Sequence, residues 1–223
     1  MKDLLLVIDM QKVYEEGGAW ACPGSGAAAV QIRHLLSAKP AGMQTIFTRF
    51  LASEDPPGVW AQYNVENAAV NADPVANAMM DAFPVEACTK EANAAGRGLA
   101  ANGYGNADAC IRIEKDLYPL YTKSTYSSLT IPEVRAAARE AAKNGARVLV
   151  SGVVAECCVL ATVMNLIDAG CKVIYLTDAV AGISPETEAA VELVLSGLEP
   201  LHVERMTVDK YVRSFEEEKG ETL

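Results

Sequence analysis

Histidine is almost missing from this chain: His34 and His202 are the only two in 223 residues. His34 lies in the middle of a helical pattern, "QIRHLL", and His202 inside a strand-like run. Neither sits where a Cys-His nucleophile pair or a multi-histidine metal centre would need it. Positive charge is also short, with 19 Lys and Arg against 29 Asp and Glu and a net charge of −10. That balance argues against nucleic acid or an anionic membrane surface as the main partner. No stretch approaches the roughly 18 apolar residues that span a bilayer. The first run, "MKDLLLVIDMQKVYEE", is broken by Asp9 and lacks a small-residue cleavage site, so a cytoplasmic protein is expected. There is no GxSxG elbow, no Walker loop and no GxGxxG after the first apolar run. The six cysteines form no CxxC pair and no His/Cys cluster, which excludes the usual structural zinc patterns. In a cytoplasmic protein they are expected to be free thiols.

What is present is apolar residue in ordered quantity: 51% hydrophobic against 22% charged, enough to bury a sizeable core. "LLLVID" (4–9) is continuous, as for a strand covered on both faces. Helical spacing follows at 24–39, then the strand "MQTIFTRF" (43–50). From about 51 to 117 the chain is irregular and rich in Ala, Asn, Gly and Pro, with a short helix expected in 74–83. Regularity returns as a strand at 117–123, a helix at 131–145 and a strand at 146–153. A helix ending near Gly170, a strand at 171–180, a helix at 184–198 and a strand at 200–206 complete the series. The tail "EEEKGETL" reads as a solvated, mobile end. Alternation of this kind predicts a single three-layer α/β domain, Rossmann-like, over 1–223. Its six-stranded, mostly parallel sheet carries helices on both faces. The 51–117 region is too long for a plain loop and is expected to form part of a pocket or an interface.

In an open parallel sheet, ligands gather beyond the carboxyl ends of the strands. Asp9 ends the first strand, Lys123 ends the strand "LYPLYTK", and Cys157 and Cys158 follow "ARVLVSGV". A carboxylate, an ammonium and a thiol from distant parts of the chain thus fall on one edge. A helix N-terminus and a nearby lysine both favour thiolate, and Asp9 can take the thiol proton and return it to a leaving amine. Glu156 opposes this by repelling a thiolate, so its side chain must point elsewhere. Residue spacing alone does not choose between Cys157 and Cys158.

Three segments, "LLVIDMQKVY", "YTKSTYSSL" and "VLVSGVVAECCVLATVMNLIDAGCKVIYLTDAVAG", resemble the signature segments of the isochorismatase-like cysteine hydrolases. That superfamily includes nicotinamidases and N-carbamoylsarcosine amidases. The resemblance runs along the whole chain in order and is loose across about 51–117. It implies Cys158 as nucleophile, Asp9 as general base and Lys123 as catalytic lysine. It further implies a cis peptide between Val153 and Val154, and an oxyanion hole from the N–H groups of Val154 and Cys158. Tyr14 matches a substrate-contacting aromatic position; Trp60 and Tyr126 are candidate further walls, and Arg49 or Phe50 could meet the substrate. Nicotinamidases carry an Asp-x-His and a further His after the second strand that bind a metal. Here "FTRFLASEDPPGVWAQYN" holds no histidine, so a metal-independent enzyme without a cofactor is implied. Its reaction would be cleavage of a C–N bond in a small amide, ureide or carbamoyl compound through a thioester. Relatives of this kind assemble as dimers or larger, which implies a homo-oligomer, dimer or tetramer. The alternatives are a nicotinamidase-type amidase, a thiol-redox protein using Cys157 and Cys158, and a non-catalytic binding member of the fold.

Overall fold

Strand β1, Leu4–Ile8, is buried along its whole length, as a strand covered on both faces must be. In a computed structural model, which describes residues 2–40, 42–88 and 107–220, it lies near the middle of one sheet. The other strands are β2 (Gln44–Phe50), β3 (Val85–Glu86), β4 (Ala109–Ile113), β5 (Asp116–Lys123), β6 (Arg147–Val153), β7 (Lys172–Ala181) and β8 (Val203–Met206). Their order is β3-β4-β5-β2-β1-β6-β7-β8. From β5 to β8 every pairing is parallel. The expectation of six strands therefore describes the parallel part of an eight-stranded sheet. The missed strands β3 and β4 pair antiparallel and fall in the 51–117 region, where two to five residues are too few to show a period.

Side-chain alternation along β1 builds the three layers. Leu5 and Val7 face one apolar cluster with Ile32 and Leu35 of helix α1 (Ser25–Ala38) and Tyr211 of helix α7 (Val208–Gly220). Leu4, Leu6 and Ile8 face the opposite one, packed by α4 (Pro132–Lys143), α5 (Leu160–Asp168) and α6 (Pro185–Ser196). Helix α6 starts on a Ser184 cap, whose hydroxyl accepts the Thr187 N–H at 3.3 Å, with Pro185 in its first turn.

Local expectations change here. Residues 74–83 form turns, pinned by the Asn77 amide donating to the carbonyls of Val70 (2.7 Å) and Asp73 (2.8 Å). The helices of this region are instead α2 (Val59–Glu66) and α3 (Ala68–Asn71). Helix α7, anchored by Tyr211, Val212 and Phe215, continues through residues 216–220 of the tail, and residues 221–223 lie outside the described ones. Finally, Cys88 and Cys110 are disulfide-bonded, their Cα atoms 5.3 Å apart. Cys110 lies on β4 opposite Glu86 of β3, a proximity that 22 residues of separation conceal. The remaining four cysteines are free.

One glycine sets how closely β6 approaches β1. Gly152 has φ +111°, and a Cβ there would lie 2.0 Å from the carbonyl oxygen of Ile8. The obstacle is backbone and cannot swing aside, and this point is also where the β6–β7 register shifts. Gly152→Ala is expected to lose at least about 1–3 kcal/mol, the usual cost of overpacking, with strain at positive φ added. Urea unfolding of the two proteins measures it.

Candidate active site

Asp9 follows β1 directly and adopts φ +53°, a left-handed conformation that aspartate tolerates better than most residues. Its N–H donates to the Thr48 carbonyl at 3.0 Å, and its own carbonyl accepts the Gln11 N–H at 2.7 Å. Gln11 then staples the edge together. Its amide donates to the carbonyls of Phe50 (3.0 Å) and Asn77 (2.9 Å) and accepts the Phe50 N–H at 2.8 Å. The sharp turn after β1 is thereby held against the end of β2.

Lys123 is the last residue of β5. Its ammonium meets the Asp9 carboxylate with Nζ–Oδ2 2.5 Å, and both side chains are wholly buried. The same Nζ lies 3.4 Å from Cys158 Sγ and donates to the Thr125 carbonyl at 3.1 Å. Cys158 sits in a π-helical turn, Ala155–Val159, that precedes α5. The N–H groups of Cys157 and Val159 both donate to the Val154 carbonyl at 3.1 Å, an extra-residue turn of the kind found at functional sites. The peptide between Val153 and Val154 is cis, as the resemblance implies. Cys158 packs in the α4–α6 layer, whereas Cys157 packs against the other cluster. The sulfur beside Lys123 is therefore that of Cys158. Glu156 turns away as required, its Oε1 accepting the Ile183 N–H at 3.2 Å.

Electrostatics in this buried group run partly against the expectation of a ready thiolate. Burial first, then the negative charge of Asp9, pushes the Cys158 thiol well above its ordinary value, and Lys123 offsets this only in part. For Lys123, burial acts to lower the pKa, but the Asp9 charge and the facing sulfur outweigh it and the ammonium is held up. The resting arrangement is thus thiol beside a carboxylate–ammonium pair.

An aromatic wall flanks the three groups. The Phe50 ring centroid is 5.6 Å from Lys123 Nζ. Phe50 contacts Trp60 (6.1 Å), Trp60 contacts Tyr126 (5.0 Å), and Tyr14 contacts Trp20 (5.9 Å). Burial raises the phenols of Tyr14 and Tyr126, and the Cys158 charge adds to both. The structure thus brings together Tyr14, Phe50, Trp60 and Tyr126. It does not bring Arg49: the side chain lies on the opposite side of β2 from Thr48 and Phe50, and its Nε donates to Thr122 Oγ1 at 2.9 Å. Two aromatics were missed. Trp20 and Tyr63 each contact Phe50, at 6.2 Å, and burial pushes the Tyr63 phenol up to about 12. The available signal was scarcity, since both tryptophans of the chain stand in this wall. Also missed were three buried hydroxyls behind Asp9, those of Thr48, Ser128 and Thr162; Ser128 and Thr162 lie inside the resembling segments, and Thr48 lies outside them. The two histidines stay out of the site; His34 bonds Asp209 at the exposed surface.

Residues 102–204 match the isochorismatase family, described as an isochorismatase domain. Solved structures with the isochorismatase-like fold include a cysteine hydrolase from Pseudomonas syringae pv. phaseolicola 1448A. It is 20% identical, with TM-score 0.67 over 97% of this chain and 93% of that one. The pyrazinamidase of Pyrococcus horikoshii, solved in complex with zinc, is 18% identical with TM-score 0.59, covering 93% and 99%. The pyrazinamidase/nicotinamidase of Streptococcus mutans UA159 is 16% identical with TM-score 0.60, covering 92% and 100%. Identities this low establish a shared fold. Among curated proteins none matches the chain significantly. No helix among the described residues is long and apolar enough to cross a membrane.

Zinc in one of these neighbours raises the question of a metal here. After β2 the chain offers Arg49, bonded to Thr122, and Phe50, packed in the aromatic wall. Among the described residues no cluster of three or more His, Cys, Asp or Glu side chains is arranged to hold an ion. The donor set does not fit such a metal, and no step below runs through one.

With its thiol held up by burial, Cys158 is expected to show no ionisation step below about pH 9, the ordinary cysteine value. Thiolate absorbance, read as the difference between the unaltered protein and Cys158→Ala, checks this. A step near neutral pH would contradict it.

Proposed function

We propose that this protein is a cysteine amidohydrolase that cleaves the C–N bond of a small amide, ureide or carbamoyl compound through a thioester, without a metal. The observation that carries the reading is the placement of Lys123 Nζ, 2.5 Å from Asp9 Oδ2 and 3.4 Å from Cys158 Sγ. When the thiol proton passes to Asp9, the negative charge moves from carboxylate to sulfur, and one ammonium faces both ends of that transfer. No uncompensated charge is created in the buried site, and that is what lets a thiol raised by burial react near neutral pH.

The steps balance as follows. Sγ of Cys158 attacks the substrate carbonyl carbon while Asp9 takes the thiol proton. The oxyanion is received by the N–H groups of Val154 and Cys158. Its collapse breaks the C–N bond as Asp9 returns the proton to the leaving nitrogen, and ammonia or an amine departs. Water then gives a proton to Asp9 and adds to the thioester. Collapse of the second tetrahedral species releases the acid, and the proton returns to Cys158. Tyr14, Phe50, Trp60 and Tyr126, with Trp20 and Tyr63, form an apolar wall suited to a flat substrate body. Arg49 is left out of this set, bonded as it is to Thr122.

Cys158→Ala is expected to abolish ammonia release across a panel of carboxamides, ureides and carbamoyl compounds, while Cys157→Ala retains it. Loss in the second variant alone would reassign the nucleophile. Release unaffected in both would end the hydrolase reading.

A further inference from the structure

Behind the reactive edge, a line of hydroxyl groups remains unused by the mechanism above. Thr48 on β2, Ser128 after β5 and Thr162 on α5 are each fully buried, at 0% exposure. Thr48 Oγ1 donates to Asp9 Oδ1 at 2.8 Å, the carboxylate oxygen that Lys123 does not hold. Thr48 Oγ1 is 3.5 Å from Ser128 Oγ, which is 3.3 Å from Thr162 Oγ1. Thr162 Oγ1 accepts the Ser128 N–H at 3.0 Å and donates to the carbonyl of Cys158 at 2.7 Å.

Proton counting gives this line a direction. Each hydroxyl has one proton to donate, and a carboxylate has none. The Thr48 proton is committed to Asp9, and the shortest contact of Thr162 commits its proton to the Cys158 carbonyl. The Ser128 proton then serves one neighbour at a time, Thr48 Oγ1 or Thr162 Oγ1. The line therefore connects the carboxylate that takes the proton with the backbone of the residue that gives it, across three elements that carry neither. A threonine bonding its own i−4 carbonyl usually serves only the helix. Here its oxygen also receives the Ser128 N–H, so the cysteine turn is tied to the loop that follows Lys123.

Resting on the proposed amidohydrolase reading, we propose that Thr48, Ser128 and Thr162 form a brace that fixes the Asp9 carboxylate against the Cys158 thiol, with Thr48 as the positioning residue for proton transfer. The Thr48 hydroxyl occupies Oδ1 and leaves Oδ2 to face the ammonium and the thiol. The other ionisable groups facing this carboxylate are Lys123, Cys158 and Tyr14.

The test needs no substrate. In a Cys157→Ala background, the rate of alkylation of Cys158 by iodoacetamide is followed against pH by mass spectrometry of the peptide. Thr48→Val keeps the volume and removes the donor. It is expected to slow alkylation at neutral pH about tenfold, the worth of one hydrogen bond to a charged group. The direction follows because a carboxylate no longer held at Oδ1 can turn Oδ2 away from the thiol. Thr48→Ser, which keeps the hydroxyl, should restore the rate. Ser128→Ala, which cuts the middle of the line, should give a smaller loss in the same direction. Asp9→Asn separates the brace from the reading beneath it. If Asp9→Asn alkylates as fast as the parent or faster, the base assignment falls and the brace with it. If Asp9→Asn is impaired while Thr48→Val keeps the parent profile, or Thr48→Ser is as impaired as Thr48→Val, the brace alone is overturned.

Discussion

An aspartate and a lysine meet with no solvent around either, 2.5 Å apart, and the rest of the site follows from their need of one another. Two charges buried this deeply would each cost several kcal/mol alone. Each is tolerable because the other, and a shell of donors and acceptors, replaces the lost water. Such a pair adds little net stability over an apolar alternative. What it does provide is a fixed positive charge whose nearest neighbours are a carboxylate and a sulfur, so charge can pass between them without solvent.

That requirement explains features of the surrounding backbone. Asp9 takes a left-handed conformation because its side chain must turn from the strand direction toward β5, across the end of β2. Gln11 satisfies the amide groups that this turn exposes on β2. On the other side, β6 comes so close to β1 at Gly152 that no side chain fits against the Ile8 carbonyl. The cysteine turn is thereby carried inward over the same edge. Lys123 arrives from the far side of β2, since β5 pairs with β2 and not with β1.

The aromatic wall shows how a weakly patterned region contributes. Helix α2 has no buried residue of its own, so nothing in its sequence marks it as helix by period. Trp60 and Tyr63 instead lie over Phe50 and Tyr126, and Trp20 reaches across to bond Asn67 at the end of that helix. Contact with the reactive edge, more than propensity, holds this part of the chain. It also explains why an arginine on the same strand as Phe50 is absent: one residue earlier on a strand points to the other face.

Local sequence was enough for the parallel strands, the helices between them and the placement of Asp9, Lys123 and a cysteine at strand ends, because burial periodicity and chain order carry that information directly. Resemblance to a known family added the choice of Cys158 over Cys157. Short antiparallel strands, the Cys88–Cys110 bond, the side taken by Arg49 and the hydroxyl line from Thr48 to Thr162 were decided by tertiary structure alone. Each depends on which residues distant in the chain become neighbours across a sheet. A hydroxyl or thiol reads the same in sequence whether it faces a carboxylate, another cysteine or water; only the fold supplies the partner that gives it a role.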